Sequence, residues 1–467
     1  MRYIKIIINK KIPSLDHDFV YEVPPELLGT VEIGSVVSVP FGHTTEEGIV
    51  VGFCDEPGAY RIKYIDGLLN DAFTVPVDLL KLADALSKYY MNTTIAMVKA
   101  MIPRGINLFG KTLKEKREPW LFFQETAQNS DDIKGIKQRA LWDLMQSKKE
   151  ARQKEISDLG FSAAVVKALI DKGGLRREYL PISRYSYGHY VPENQDIPVL
   201  TAEQDVALGE IRANKKDKNR PVLLHGVTGS GKTEIYLRLI EETLNEGKQA
   251  IVLLPEIALT PQFVRIFENR FHGEIALLHS RLSAGERRDA WYAIRNGEAR
   301  IAMGARSCIF APTANLGLMI IDEEHEDSYE QDTSPRFHSR EAALLRKELS
   351  DATLVLGSAT PSFESYKKAL NGEYLLVELK NRVGGALPEM SIVDMREELK
   401  AGWAEVLSRE LLFEMKAALA AKRQVMLFLN RLGYHTFVSC RDCGFVYRCP
   451  DWAVSLTYSA QSSWRKL

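Results

Sequence analysis

No stretch of this 467-residue sequence approaches the roughly 20 consecutive apolar positions that a membrane-spanning helix needs. The opening MRYIKIIINKK does not have the organisation of a signal peptide either. Both absences predict a cytoplasmic protein with no membrane partner. An excess of charge of one sign is also missing: 61 Lys and Arg face 62 Asp and Glu, for a net charge of −1. Any nucleic-acid surface must therefore be a local basic patch. Cysteine is scarce, with five in the chain. Cys54 and Cys308 sit singly in apolar surroundings and read as core. Cys440, Cys443 and Cys449 crowd together, and clustered cysteines in a reducing compartment point to metal rather than disulfides. The 45% hydrophobic and 26% charged content is that of an ordinary soluble globular protein. The length allows about three or four domains.

What the chain does have is organised around His225–Thr233, HGVTGSGKT. It fits the phosphate-loop pattern G-x-x-x-x-G-K-[ST], with Gly226, Gly231, Lys232 and Thr233 in the fixed positions and Gly229 and Ser230 between them. Glycines let backbone amides converge on phosphate oxygens, Lys232 reaches the β/γ-phosphates, and the Thr233 hydroxyl ligates Mg²⁺. An apolar strand at 221–224 precedes the loop and a helical segment at 234–242 follows it, so a helix N-terminus faces the phosphates. The chain is expected to bind a nucleoside triphosphate.

Residues 1–105 read as a small β-rich domain, with short apolar or alternating runs at 4–8, 19–23, 35–39 and 48–53 and a helical period at 77–90. Residues 106–195 hold three short helical periods, at 137–145, 151–159 and 162–172, followed by a hairpin whose Gly-Gly turn leads into an apolar stretch at 179–182. That order suits a winged helix, which contacts DNA or docks protein. From 196 the grammar becomes alternating strand and helix, the βαβ pattern of an open parallel sheet whose active groups gather at the strands' carboxyl ends. A first lobe is placed at 196–375 and a partial second at 376–467.

The strand Leu318–Ile321 ends in Asp322-Glu323-Glu324-His325. A hydrolytic phosphate-loop site needs one acid to hold Mg²⁺ and a second to orient or deprotonate water. Asp322 fits the first role and Glu323 the second, with Glu324 and His325 placed to couple the site to a neighbouring domain. A further apolar strand leads into Gly357-Ser358-Ala359-Thr360-Pro361, where Ser358 and Thr360 can contact the acidic loop. The stretch 325–340, HEDSYEQDTSPRFHSR, interleaves aromatic and cationic groups. Tyr329, Phe337 and His338 are expected to stack on bases, and Arg336 and Arg340 to meet phosphates.

Three strand-end motifs in this order, GSGKT, DEEH and GSAT, resemble those of the superfamily 2 helicases. The wider set is similar to the PriA family of bacterial replication-restart helicases. Val39-Pro40-Phe41-Gly42, Tyr89-Tyr90, the aromatic-rich loop and Phe428–Tyr434, FLNRLGY, extend the likeness. The resemblance implies an α/β multidomain protein: a β-rich N-terminal DNA-end-binding domain, a winged helix, a RecA-like lobe, and a second lobe interrupted by a zinc-binding cysteine insertion. It implies ATP, Mg²⁺ and Zn²⁺ as cofactors, and 3′-to-5′ unwinding that initiates primosome assembly. Its implied partners are forked DNA with a nascent 3′ end, single-stranded DNA, primosome proteins and single-strand-binding protein. By motif position, Phe19, Gly42 and Lys63 line a pocket for the DNA 3′ end, with Val20 where some members carry Asp. Gln204, in Leu200–Gln204, reads adenine. Segments 253–260 and 278–280, together with Arg306 in 304–307, contact single-stranded DNA.

The sequence also departs from the family. Trp452 stands where a fourth cysteine is expected, leaving Asp451 and His435 as nearby donors beside Cys440, Cys443 and Cys449. No Gly-Arg pair occurs anywhere, so the late motif that supplies an arginine to the γ-phosphate is missing. The expectation is a form truncated at its C-terminus. It acts either as an ATP-dependent helicase or as a module that binds forked DNA ends and nucleotide without unwinding.

Overall fold

A computed structural model of the chain describes residues 2–55, 62–69, 73–110, 117–124, 133, 135–181, 197–255, 260–385, 389–403, 405–428 and 445. The chain divides into two compact units, Met1–Gly385 and Ala386–Leu467.

The N-terminal strands are β1 (Tyr3–Ile8), β2 (Phe19–Glu22), β3 (Val36–Phe41), β4 (Thr44–Cys54) and β5 (Gly67–Leu68), in the sheet order β2-β1-β4-β3-β5. Segment 63–69 bonds to both ends of this order. The Glu22 amide donates to the Lys63 carbonyl at 3.0 Å, and the Asp66 amide donates to the Ser38 carbonyl at 2.8 Å. The sheet thus closes into a small barrel with its edges paired. A strand with one wet face alternates polar and apolar residues, yet β1 reads YIKIII. The reason is that both faces of β1 are covered. Ile4, Ile6 and Ile8 fill the barrel, while Ile7 turns outward into a second core.

That second core joins the barrel to the rest of the unit. Helices α1 (Val77–Tyr89) and α2 (Thr94–Met101) contribute Leu79, Leu82, Leu86, Ile95 and Met97 to it, alongside Leu253, Leu278 and Trp291 from the phosphate-loop half. Phe73 lies 5.6 Å from the Trp291 ring, and Arg295 donates to the Thr74 carbonyl and hydroxyl at 2.5 and 2.7 Å. Buried Arg346 donates to Asp78 at 2.9 Å and to the Ile309 and Ala311 carbonyls. The first hundred residues and the nucleotide lobe are therefore one packed body, which no sequence pattern announced.

The intervening module runs β6 (Arg117–Phe123), α3 (Ile136–Lys148), β7 (Glu150–Arg152), α4 (Gln153–Asp158), α5 (Ala163–Asp171) and β8 (Leu175–Pro181). It has its own core of Leu121, Leu141, Met145, Ile156, Val166 and Leu169. The three helices are present, but among the described residues no hairpin follows them. The last strand, β8, instead pairs with β6, which precedes the helices, with Arg117 opposite Pro181. The run after the Gly-Gly turn carries the signal of a strand but not of its partner, so the sequence-based hairpin is corrected to a pairing across the whole module.

The nucleotide lobe contains, in chain order, α6 (Ala202–Lys216), β9 (Val222–Gly226), α7 (Lys232–Asn245), β10 (Gln249–Leu253), α8 (Pro261–Arg270), β11 (Ile275–Leu278), α9 (Ala284–Arg295), β12 (Ile301–Gly304) and β13 (Leu316–Asp322). After these come β14 (Glu330–Gln331), β15 (Phe337–His338), α10 (Ser339–Ser350), β16 (Thr353–Ser358), α11 (Phe363–Leu370) and β17 (Leu375–Leu379). Seven strands form a sheet in the order β11-β12-β10-β13-β16-β9-β17, parallel at every pairing. Continuous apolar runs such as LGLMIID fit strands covered on both faces. The expected boundary at 375/376 cuts β17, which pairs with β9 and belongs to this sheet.

In the second unit the described residues form α12 (Met395–Lys400) and α13 (Arg409–Ala420), with no strand among them. Glu398 accepts from the Arg409 amide and guanidinium, and the Trp403 indole donates to the Leu407 carbonyl. Cys440, Cys443 and Cys449 lie outside the described residues.

Candidate functional site

Register places the site. On β16, Gly357 lies opposite Asp322 of β13, and Ser358 lies opposite His225 of β9. Three adjacent parallel strands therefore end level, with the phosphate loop at one end of the row and the acids at the other.

The loop leaves β9 at Gly226 and enters α7 at Lys232 through Gly231, whose φ of +82° is left-handed. Gly229 has a φ of +81°. A Cβ on Gly231 would lie 2.1 Å from Gln204 Nε2, so close approach as well as conformation requires glycine there. Lys232 is buried and its Nζ donates to the Gly226 carbonyl at 2.8 Å. Ser230 is buried and its hydroxyl has no partner, and Thr233 occupies the first turn of α7, half-buried. An unpartnered hydroxyl in a glycine cradle at a helix N-terminus fits a polyphosphate with its divalent cation.

Gln204 is committed to the scaffold. Its Oε1 accepts from the Thr201 amide at 2.9 Å, and the Thr201 hydroxyl accepts from the Gln204 amide, a reciprocal cap on α6. Its Nε2 donates to the Ser230 carbonyl at 2.9 Å, bracing the loop. Beside it, Glu203 accepts from the amides of Lys380 and Asn381 at 2.7 and 3.2 Å, and the Val383 amide donates to the Gly229 carbonyl at 2.9 Å. The segment after β17 is thus strapped across the phosphate loop. Sequence reasoning missed Glu203 and this strap, because a glutamate in a helix's first turn is usual for capping alone.

At the acidic end, Glu323 takes a φ of +46°, an unusual left-handed turn for a side-chain-bearing residue. Burial pushes the Asp322 carboxyl above the ordinary carboxylate range; the Tyr236 hydroxyl pulls it back, Glu323 raises it, and Lys232 lowers it. The Tyr236 hydroxyl donates to Asp322 Oδ1 at 2.8 Å, and the Tyr329 hydroxyl donates to the Asp322 carbonyl at 2.6 Å. His325 Nδ1 lies 2.8 Å from Ser358 Oγ and Nε2 lies 3.4 Å from Thr360 Oγ1, so one ring spans the two motifs. Glu324 is wholly buried. It accepts from Arg340 at 2.9 Å, from the Ser362 amide and hydroxyl, and from Ser365 at 2.9 Å.

The aromatic-rich loop is placed differently from its expected use. Tyr329 and Phe337 are 1% and 2% exposed, so neither offers a face to a base in this structure. Phe337 packs 4.9 Å from Phe310. His338 caps α10, its Nδ1 accepting from the Arg340 amide at 3.1 Å. Burial, with Arg340 adding to it, lowers the imidazole, which suits an acceptor. Arg340 is held by Glu324 and Ser362. Arg306 is half-buried and donates to the Glu330 carbonyl, while Arg336 is exposed and donates to the Asp332 carbonyl.

On the barrel, Phe19 stacks edge-on against Phe41 at 5.2 Å, next to Gly42 in the β3–β4 turn. Lys63 is exposed beside the other end of β2, at Glu22. Segment 256–259 lies outside the described residues, and no metal-holding cluster occurs among the described ones.

A seven-stranded parallel sheet with a phosphate loop, an acid-tipped strand and a hydroxyl motif at level strand ends is the nucleotide lobe of a helicase. Residues 201–369 match the DEAD/DEAH box helicase family, and residues 5–103 match the 3′DNA-binding domain family of PriA. The chain belongs to the PriA family of replication restart proteins. Replication restart protein PriA of Bacillus subtilis (strain 168) is 36% identical, over 98% of this chain and 66% of the relative. Those of Chlamydia muridarum and Synechocystis are 34% and 32% identical, over 98% and 96% of this chain and 62% and 63% of the relatives. The chain thus spans slightly less than two thirds of these relatives' length. Among solved structures, RecG bound to a three-way DNA junction matches at 23% identity and a TM-score of 0.31, over 48% of this chain and 32% of that one. That likeness is too slight to argue from.

Proposed function

We propose that the chain is an ATP-dependent 3′-to-5′ DNA helicase acting at forked DNA to begin replication restart. The observation that supports this best is the level row of strand ends, which brings the phosphate loop, Asp322 and Ser358 to one edge of the sheet. Lys232 and the amides of the α7 N-terminus would hold the β/γ-phosphates, with Thr233 and Asp322 holding Mg²⁺. The bound ion would draw charge from the phosphoryl oxygens. Glu323 would orient the attacking water. Gln204 would hold the loop in shape and turn its remaining amide hydrogen toward a base.

His325 joins the acidic turn to Ser358 and Thr360, and buried Glu324 joins it to Arg340 and α11, so a change at the phosphates would reach both. For DNA, Arg306 and Arg336 are the accessible cations of the proposed strand path, and Phe19, Gly42 and Lys63 mark the proposed end-binding surface of the barrel. Tyr329, Phe337, His338 and Arg340 would support that path from beneath. Zinc at Cys440, Cys443 and Cys449, primosome proteins and single-strand-binding protein enter this reading through the family alone.

The test is ATP hydrolysis by the purified chain, with and without forked DNA, beside Lys232→Ala. The expected outcome is DNA-stimulated hydrolysis that falls at least about a hundredfold in the variant. Flat hydrolysis with intact fork binding would replace the helicase reading with that of a DNA-end-binding module.

A further inference from the structure

We infer that Tyr236 is the positioning residue for the cation-binding carboxylate, a role shared between the helix of the phosphate loop and the glycine of the hydroxyl motif. The inference rests on the reading of Asp322 given above and deepens it. Tyr236 stands three residues after Thr233 on α7, on the same helix face. Its side chain is fully buried, an expensive place for a phenol that lacks a partner. Its hydroxyl finds one in Asp322 Oδ1 at 2.8 Å.

Gly357 carries the second, independent observation. It sits opposite Asp322 across the β13–β16 ladder. A Cβ built there would lie 1.7 Å from the Tyr236 oxygen and 2.9 Å from the ring carbon bearing it. Any side chain at 357 would evict the hydroxyl from its place against the carboxylate. The glycine opening GSAT is thus explained by the phenol, and its own φ is not in the left-handed region. From the other side, Tyr329 donates to the carbonyl of the same aspartate at 2.6 Å. Two buried tyrosines therefore fix Asp322, one by its side chain and one by its backbone. An acid held this way does not have to be ordered by the incoming cation, and fixing it beforehand lowers the cost of binding.

The experiment is a magnesium titration of fluorescent ATP-analogue binding and of ATP hydrolysis. It compares the full chain with Tyr236→Phe, which keeps the ring and removes the hydroxyl. The expected result is about a tenfold rise in half-saturating Mg²⁺, with hydrolysis at saturating Mg²⁺ and the far-ultraviolet circular dichroism near those of the unaltered chain. A loss of packing alone would lower stability without moving the magnesium midpoint selectively. Gly357→Ala supplies a second route, because it displaces the hydroxyl while leaving the tyrosine in place, and the same rise is expected. If either folded variant keeps the original midpoint, Tyr236 does not position Asp322 and the inference falls. If the unaltered chain binds the analogue with no magnesium dependence, the reading of Asp322 falls first and takes this one with it.

Discussion

Single residues in this chain are governed by what burial does to polar groups. Arg346 is 3% exposed and is matched by carbonyls, a hydroxyl and Asp78. Glu324 is matched by an arginine, an amide and two serines. Cys308 has no such network, and burial pushes its thiol up to about 12. Iodoacetamide at neutral pH should leave Cys308 unlabelled in the native chain and label it after denaturation, as read by peptide mass spectrometry, whereas half-buried Cys54 should label first. The same rule explains which site residues were legible in sequence. Lys232, Thr233, Asp322 and Ser358 belong to fixed spacings that chemistry demands. Tyr236 reads as one more core aromatic at helical spacing, because a sequence does not show what a hydroxyl faces. Tyr329 and Phe337 mislead for the complementary reason: aromatic residues among cations look like a stacking platform until burial is known.

Elements show a similar division. Continuous apolar runs flanked by helical periods suffice to find the parallel strands of the lobe. They do not reveal that β17, LLVEL, belongs to this sheet, because an apolar run does not name its partner and β9 lies some 150 residues earlier. They do not reveal the order of the intervening module either, where β8 answers β6 across all three helices. The strap after β17 is held by groups that carry no motif. Glu203→Ala removes the acceptor of the Lys380 and Asn381 amides. Tryptic cleavage after Lys380 or Arg382, followed by gel and mass spectrometry, should then quicken about tenfold, the effect of losing about 1.4 kcal/mol of charge-assisted hydrogen bonding. Cleavage at the rate of the unaltered chain would show that the Gly229–Val383 bond holds the strap without Glu203.

At the scale of the molecule, the N-terminal barrel, α1, α2 and the nucleotide lobe share a core, while the intervening module keeps its own. Composition and periodicity divide a chain where patterns change, and here the pattern changes within one core. Phe73→Ala would leave a cavity against Trp291 and should cost about 3–5 kcal/mol. Hydrogen exchange should then rise together in α1, α2 and β10 to β12, with β6 to β8 unaffected. A rise confined to residues 1–105 would mean the barrel opens by itself.

This shared core has a mechanical meaning. With a nascent strand end gripped on the barrel and a triphosphate at the sheet edge, both contacts would sit on one rigid frame, like the two jaws of a calliper locked at a single setting. Neither could drift toward the other during a cycle. The frame would fix where on a fork the catalytic edge comes to rest, and the stroke itself would have to come from whatever moves against that frame.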